Sequence, residues 1–494
     1  MNTETKSKKK RVLTALLSIS FLVISVFYGL IVRPLILGQP SLPLEIVFLL
    51  AASLLVFQLL CIGINWSSIQ QAIVNKLGQA LPTILLLFAI GLLIGSWIMA
   101  GTIPMLVYYA LQALSVEHFY LLCFVIPILF SICTGTSWGS IATIGLVLIA
   151  VATVYQADVA IAAGAIIGGA YFGDKLSPLS DTTNIAAMSA GVELYEHIQS
   201  MLVTTLPSAV IAAIGFGLCD LSYPVNYAIS TQLIETQSLS NTLVHIEQLF
   251  SFNLLLLAPV MIILFGSLMR MPPLPILILS SFSASLLAFI VQNLSITDIA
   301  QTLYQGFNVS MLASGELLPQ NIGQLFNRGG LYALSSAIMI TILVFVYVGA
   351  LDCISAFPTL MGSLLTRINS ARLLISSTLF ASAFTNAMTS SQYANSFIVA
   401  ESFKNKYDAL RVDRKVLSRS LEDSGTMIES LVPWSTTAVF IYATLDVSIT
   451  DYWHWQLLSL INIPLAFMLV FFNKGFSQSS SNSNKYAQLK EEHA

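Results

Sequence analysis

Charge is what this sequence has least of. Asp, Glu, Lys and Arg make up 9% of its 494 residues, against 56% hydrophobic residues. A soluble globular domain carries about 25% charged residues. With so little to offer water and a mean hydropathy of +0.82, most of the chain must be solvated by lipid. Histidine and cysteine are also sparse, at five each. Cys61, Cys123, Cys133, Cys219 and Cys353 are scattered through apolar stretches, and no pair has metal-ligand spacing, which favours reduced, structural thiols. There is no nucleophile–base constellation, no His cluster, no GxxxxGK[ST] phosphate cradle and no repeated filter loop. These absences argue against a membrane enzyme and against a channel. Neither a cofactor nor a nucleic-acid partner is expected.

What is present is a series of apolar runs near 20 residues, the length that crosses a bilayer as a helix. The alternation of barrel strands is absent, so these runs must be helices, which satisfy their own backbone in lipid. Spans are expected near 12–32, 43–64, 80–99, 196–219, 250–269, 273–292, 329–351 and 453–473. Four further apolar segments are interrupted by polar residues: 118–155, 158–190, 370–400 and 419–447. Short interfacial helices are expected over 65–79, 101–114, 298–312 and 355–367. The basic cluster Lys6 to Arg11 precedes an apolar run with no small-residue cleavage site, and reads as the start of a retained first span.

Charge placement orients this map. With the N-terminus inside and 118–155 and 370–400 as re-entrant hairpins, 18 of the 21 basic residues fall on one side. Arg33 and Arg328 fall outside, and Lys175 lies within the membrane. That asymmetry is the positive-inside pattern, and it implies an inner (cytoplasmic) membrane protein with both termini cytoplasmic.

An internal repeat is the second organisational signal. A gapless shift of 254 residues places Ile103-Pro104-Met105-Leu106 on Phe357-Pro358-Thr359-Leu360. It also places Gly135-Thr136-Ser137 on Thr389-Ser390-Ser391, and Asp181-Thr182-Thr183 on Ser435-Thr436-Thr437. On the expected topology the copies enter from opposite faces, as in secondary transporters, where substrate lies at the meeting of the helix breaks. The expected fold is an all-α polytopic membrane protein with inverted structural repeats, two re-entrant hairpins and two broken transmembrane helices. Its expected parts are an N-terminal span (1–35), a first repeat (43–220), an external loop with connecting span (221–271), a second repeat (272–474) and a polar cytoplasmic tail (475–494). The first repeat divides into scaffold helices 43–114, a transport hairpin with broken helix 118–190, and a helix 196–219; the second carries its transport hairpin and broken helix at 370–447.

The strongest local signal is Gly168 to Asn184, GGAYFGDKLSPLSDTTN. A polar stretch there interrupts an apolar span. Pro178 removes an amide donor and helps unwind the helix, freeing carbonyls that suit a small hard cation. Ionisable groups at membrane depth are costly and point to function. Lys175 and Asp174 could form a self-neutralising pair; Asp181 has no basic residue left nearby. The hairpin tips, Thr136-Ser137 and Ser390-Ser391, add hydroxyls at the interruptions of 118–155 and 370–400. In the second broken segment Glu429 lies deep with no basic neighbour. Glu422, three residues after Arg419, reads as a solvated cytoplasmic charge, and Asp423 as either a helix cap or a site residue. Asp352 reads as a cap and His197 as an interface residue.

A buried carboxylate can hold a proton or coordinate Na⁺, but not both, so a site that crosses only when occupied exchanges one ion for the other. The expected ion or substrate site comprises Asp174, Ser177, Asp181, Thr182, Thr183 and Asn184, the tips Thr136, Ser137, Ser390 and Ser391, and Asp423, Glu429, Ser435 and Thr436. Asp181, Asp174 and Thr182 are the expected Na⁺ ligands.

The run GAYFGDKLSPLSDTTN closely resembles the signature of the NhaC family of sodium/proton antiporters. The stretch Leu421-Glu422-Asp423-Ser424-Gly425-Thr426 through Pro433-Trp434-Ser435-Thr436 resembles that family's second motif. The resemblance implies Na⁺/H⁺ exchange by an elevator-like shift of a transport domain against a scaffold, in a homodimer. Relatives with the first motif exchange malate for lactate or carry amino acids. A Na⁺- or H⁺-coupled carrier of an organic anion, anchored by Lys175, is therefore the alternative.

Overall fold

The computed structural model describes residues 2–223, 243–312, 326–354 and 368–474. Among them, nine helices are long and apolar enough to cross a membrane, or up to eleven if each of two bent pairs counts as one span. No β-strand forms among the described residues. An apolar chain in lipid has no other way to pair its amides within one segment, and the fold is an all-helical polytopic membrane protein.

The first half runs through α1 (Asn2–Phe27), α2 (Leu44–Cys61), α3 (Trp66–Ala100), α4 (Thr102–Ala113), α5 (Phe119–Thr134), α6 (Ser137–Val154), α7 (Val159–Leu176), α8 (Asp181–Ala190) and α9 (Leu194–Ser222). The second half has α10 (Ala258–Leu268), α11 (Pro273–Ile290), α12 (Ile296–Gln305), α13 (Ser335–Asp352), α14 (Ala371–Thr389) and α15 (Gln392–Ala409). It continues with α16 (Arg414–Ser420), which passes through a π-helical stretch (Leu421–Thr426) to Met427–Glu429, then α17 (Thr436–Leu445) and α18 (Leu457–Phe471). Segment 355–367, which holds one arm of the first repeat match, lies outside the described residues, as do 224–242, 313–325 and the tail 475–494.

Two local expectations change. The interfacial helix 65–79 and the span 80–99 form one helix, α3, of 35 residues with Pro82 inside it. A proline costs one donor and one clash, which neighbouring helices in a membrane bundle offset. Asp352, read as a cap beside segment 355–367, which lies outside the described residues, pairs with Lys76 of α3 at 3.0 Å.

Small residues set the tightest contact, between α5 and α7. A Cβ on Gly169 would lie 2.1 Å from the Phe124 carbonyl oxygen, and one on Gly173 2.6 Å from that of Ile128. Only glycine lets these backbones approach so closely, the device membrane helices use where apolar burial gives no drive to associate.

The chain breaks at four places, and the breaks recur in register. Gly135 (φ 69°) and Ser390 (φ 51°) are both left-handed and end α5 and α14. Thr136 and Ser391 then cap the next helix, each side chain accepting a backbone amide. Ser180 and Ser435 do the same for α8 and α17. Each of these pairs is separated by 255 residues, one more than the gapless sequence match. In this register Ser137 corresponds to Gln392, and Asp174 to Glu429.

Candidate functional site

The turns at Gly135 and Ser390 each meet the helix break that follows them in the chain. At the first, the Ser177 hydroxyl donates to the Ile132 carbonyl at 2.9 Å, and Gly135 packs on Leu179. At the second, Thr436 Oγ1 donates to the Ser390 carbonyl at 3.1 Å, and the Trp434 indole donates to Ala387 O at 2.7 Å. A tip without Cβ bulk at Gly135, or with a left-handed serine at 390, is what allows the approach.

Asp174 lies buried in the last turn of α7. Its Oδ2 accepts the Ser137 hydroxyl at 2.6 Å, and the Ser137 backbone amide, at the start of α6, faces the same carboxylate. Glu429 is held in the same manner 255 residues later. Its Oε1 accepts Asn386 Nδ2 at 3.0 Å and its Oε2 accepts Thr437 Oγ1 at 3.0 Å. The Gln392 amide, at the start of α15, faces it. Both acids thus sit at the N-terminus of a half-helix, where exposed amides and the helix dipole favour negative charge. The two carboxylates lie within electrostatic reach of each other, and the buried Tyr171 senses both. Their hydrogen-bond donors are neutral.

The polar residues of the first motif mostly hold its break together. Thr183 Oγ1 donates to the Lys175 carbonyl at 3.1 Å, and Asn184 Nδ2 to Ser180 O at 2.6 Å and Pro178 O at 3.0 Å. Thr182 shares a 3.1 Å hydroxyl contact with Ser180. Asp181 opens α8 at an exposed position, within electrostatic reach of Asp174. It makes no ion pair among the described residues. Ser435 donates to the Glu429 carbonyl, closing the second break as the threonine and asparagine close the first.

The charges of this core differ from the sequence reading. Lys175 does not pair with Asp174. Its ammonium lies 2.5 Å from Asp423 Oδ1, with both side chains 1% exposed or less. Asp423 is no helix cap: it also faces Arg419 at 3.6 Å and accepts Thr204 Oγ1 at 2.8 Å and Asn462 Nδ2 at 3.2 Å. Glu422 is not a solvated charge but is fully buried. The whole stretch from Val416 to Thr426, Arg419 included, is buried among its neighbours, so no solvated face is left for either acid.

Sequence reasoning missed Asn386 and Thr437 as site residues, and noted Gln392 only as the end of the tip Thr389-Ser390-Ser391-Gln392. Asn386 and Gln392 are 1% and 3% exposed, and Asn386 Nδ2 also bonds the Gly425 carbonyl at 2.6 Å. Their signal was available, since amides inside the apolar run 370–400 need partners at membrane depth. Among the described residues no three His, Cys, Asp or Glu side chains could together hold a metal ion. A small cation here would draw on hydroxyl and carbonyl oxygens beside one or two carboxylates, a donor set that fits a hard monovalent ion.

Comparison with known proteins follows this geometry. A model of the Na⁺/H⁺ antiporter family matches residues 169–474, a stretch that begins in the first motif and includes both breaks. An uncharacterized Na⁺/H⁺ antiporter of Haemophilus influenzae is 38% identical over 87% of this chain and 92% of its own length. The Na⁺/H⁺ antiporter NhaC of Alkalihalophilus pseudofirmus is 32% identical over 90% of this chain and 93% of its own. A malate-2H⁺/Na⁺-lactate antiporter of Bacillus subtilis is 29% identical over 87% and 89%. With a family match across most of the chain and relatives alike over nearly their full lengths, the chain belongs to the Na⁺/H⁺ antiporter family and is a transporter, not an enzyme.

Proposed function

We propose that this protein exchanges Na⁺ for H⁺ across the cytoplasmic membrane by competition at Asp174 and Glu429. The observation that carries the reading is the recurrence of one arrangement: a carboxylate at a half-helix N-terminus, held by neutral donors, at positions 255 residues apart. Such a group is satisfied by one proton or one small cation in turn. Ser137, Thr437 and break carbonyls complete the oxygen shell around the cation. Asp181 and Thr182, at the exposed edge, belong to the entrance of the same Na⁺ path.

The two halves form inverted repeats, with α5–α6 and α14–α15 as re-entrant hairpins. Each arm α5 and α6 is long and apolar enough to cross by itself; the packing of the turn between them on the α7–α8 break supports the re-entrant reading. Movement is an elevator-like shift of the hairpins and broken helices against α2–α4 and α11–α13, in a homodimer with both termini cytoplasmic.

A carrier of organic anions is the second reading, suggested by the malate–lactate relative. It needs a free cation at the site, yet Lys175 and Arg419 are both directed at Asp423. Proteoliposomes with an imposed ΔpH, challenged with Na⁺, Li⁺, K⁺, malate and lactate, separate the two. Proton movement triggered by Na⁺ and untouched by malate or lactate is expected. Movement that requires a carboxylate substrate would overturn the assignment.

A further inference from the structure

Glu422 takes no part in the competition described above, yet it is fully buried beside it (0% exposed). Its one hydrogen bond is to Oε2, from Thr426 Oγ1 at 2.7 Å. Its other oxygen, Oε1, is buried with no partner. Lys175 and Asp174 on α7 and Glu429 on its own segment are within electrostatic reach. Lys175 and Arg419 are committed to Asp423. His197 on α9 sits near Lys175 and Asp423 with Nδ1 on Ser418 at 2.8 Å, and Tyr171 on α7 lies near Asp174 and Glu429. An ionised carboxylate with one donor and no exposed surface is a costly group, and such groups neutralise instead.

The charge count sharpens this. Lys175 and Arg419 supply two positive charges; Asp423, Asp174, Glu429 and Glu422 supply four negative ones, an excess of two. One monovalent cation at Asp174 and Glu429 cancels one. We propose that Glu422 cancels the other by keeping its own proton throughout the cycle, as a neutral acid. The buried set is then uncharged when it carries one Na⁺ or one H⁺, and carries one negative charge when empty. Binding Na⁺ displaces the proton from Asp174 or Glu429 to water, while the Glu422 carboxyl is unchanged. Both loaded forms cross the low-dielectric barrier without net charge, and the empty form is penalised by its unpaired ion. One-for-one, electroneutral and obligatory exchange follows. This inference rests on the competition reading at Asp174 and Glu429.

The test measures charge per cycle and the protonation of Glu422 separately. In proteoliposomes clamped with K⁺ and valinomycin, the Na⁺ gradient that just balances a given ΔpH is expected not to move with membrane potential. The same balance is expected for Glu422→Gln, which mimics the neutral acid. Infrared spectra of the wild type are expected to contain a protonated-carboxyl carbonyl band that Glu422→Gln lacks. That band is expected to be absent from the difference between Na⁺-loaded and Na⁺-free protein. Should Glu422→Gln not fold, Glu422→Asp takes its place in the spectra, where the Na⁺-insensitive carboxyl band is expected to shift, and the wild-type balance point still reports the charge carried per cycle. A balance point that shifts with potential, or a carboxyl band appearing in the Na⁺-induced difference and lost in Glu422→Gln, overturns the proposal while leaving exchange intact. Wild-type vesicles that move no protons in response to Na⁺ would instead sink the exchange reading beneath it.

Discussion

Ser137 donates a 2.6 Å hydrogen bond to Asp174, and that bond favours the ionised carboxylate over the protonated one. Ser137→Ala therefore shifts the competition towards the proton. Hydrogen bonds to charged groups are worth about 1.5–3 kcal/mol, so the Na⁺ concentration for half-maximal exchange at fixed pH is expected to rise about tenfold or more, measured as Na⁺-dependent ΔpH collapse. Asp174→Asn and Glu429→Gln each remove an exchanging group and are expected to abolish that collapse. Asp181→Asn, altering an exposed residue at the edge, is expected to retain exchange with weaker apparent Na⁺ affinity. Full loss in Asp181→Asn alongside activity in Asp174→Asn would reverse the ranking. Sequence alone favoured Asp181, because Lys175 stood next to Asp174 and offered it a partner. Only the fold reveals that Lys175 reaches across 248 residues to Asp423 instead. Glu422 was misjudged for a related reason: Arg419 was taken to mark the cytoplasmic surface, whereas Arg419 is itself buried and directed at Asp423.

At the scale of elements, the breaks were legible and their partners were not. Pro178 and the hydroxyl clusters at 136–137 and 390–391 mark interruptions because such residues end helices and cap the next ones. The sequence match was drawn at 254 residues, whereas the left-handed Gly135 and Ser390 that end α5 and α14 are 255 apart. The pair Lys175–Asp423 joins the two broken helices with both side chains almost fully buried. Lys175→Met alone leaves Asp423 a poorly compensated ion and is expected to cost about 3–5 kcal/mol, read as a fall in melting temperature in detergent. The double variant Lys175→Met with Asp423→Asn is expected to recover much of that loss. Additive losses would mean that the pair is not coupled. Gly169→Leu, which drives a side chain into the Phe124 carbonyl 2.1 Å from its first carbon, is expected to prevent α5 and α7 from packing and to yield no stable protein.

At the scale of the whole molecule, composition settled the class early: 9% charge in 494 residues leaves no alternative to a bundle in lipid. Two apolar halves with matching breaks suggested a transporter, but α3 was split in the sequence reading because its more polar first part, 65–79, resembles a short interfacial helix. An elevator-like shift requires the broken helices to slide past α2. Phe48 of α2 and Trp434 of the second break have ring centroids 6.1 Å apart. With the five native cysteines replaced, a short bifunctional cross-link between Phe48→Cys and Trp434→Cys is expected to stop exchange, and cleavage of the linker to restore it. Undiminished exchange in the cross-linked protein would contradict the shift. The central claim, that Na⁺ and H⁺ compete for the same carboxylates, is tested most directly by initial rates of Na⁺ uptake over a grid of Na⁺ concentrations and external pH. The account predicts that added protons raise the half-saturating Na⁺ concentration while the maximal rate at saturating Na⁺ stays the same. A maximal rate that falls with acidity at constant half-saturation would contradict it.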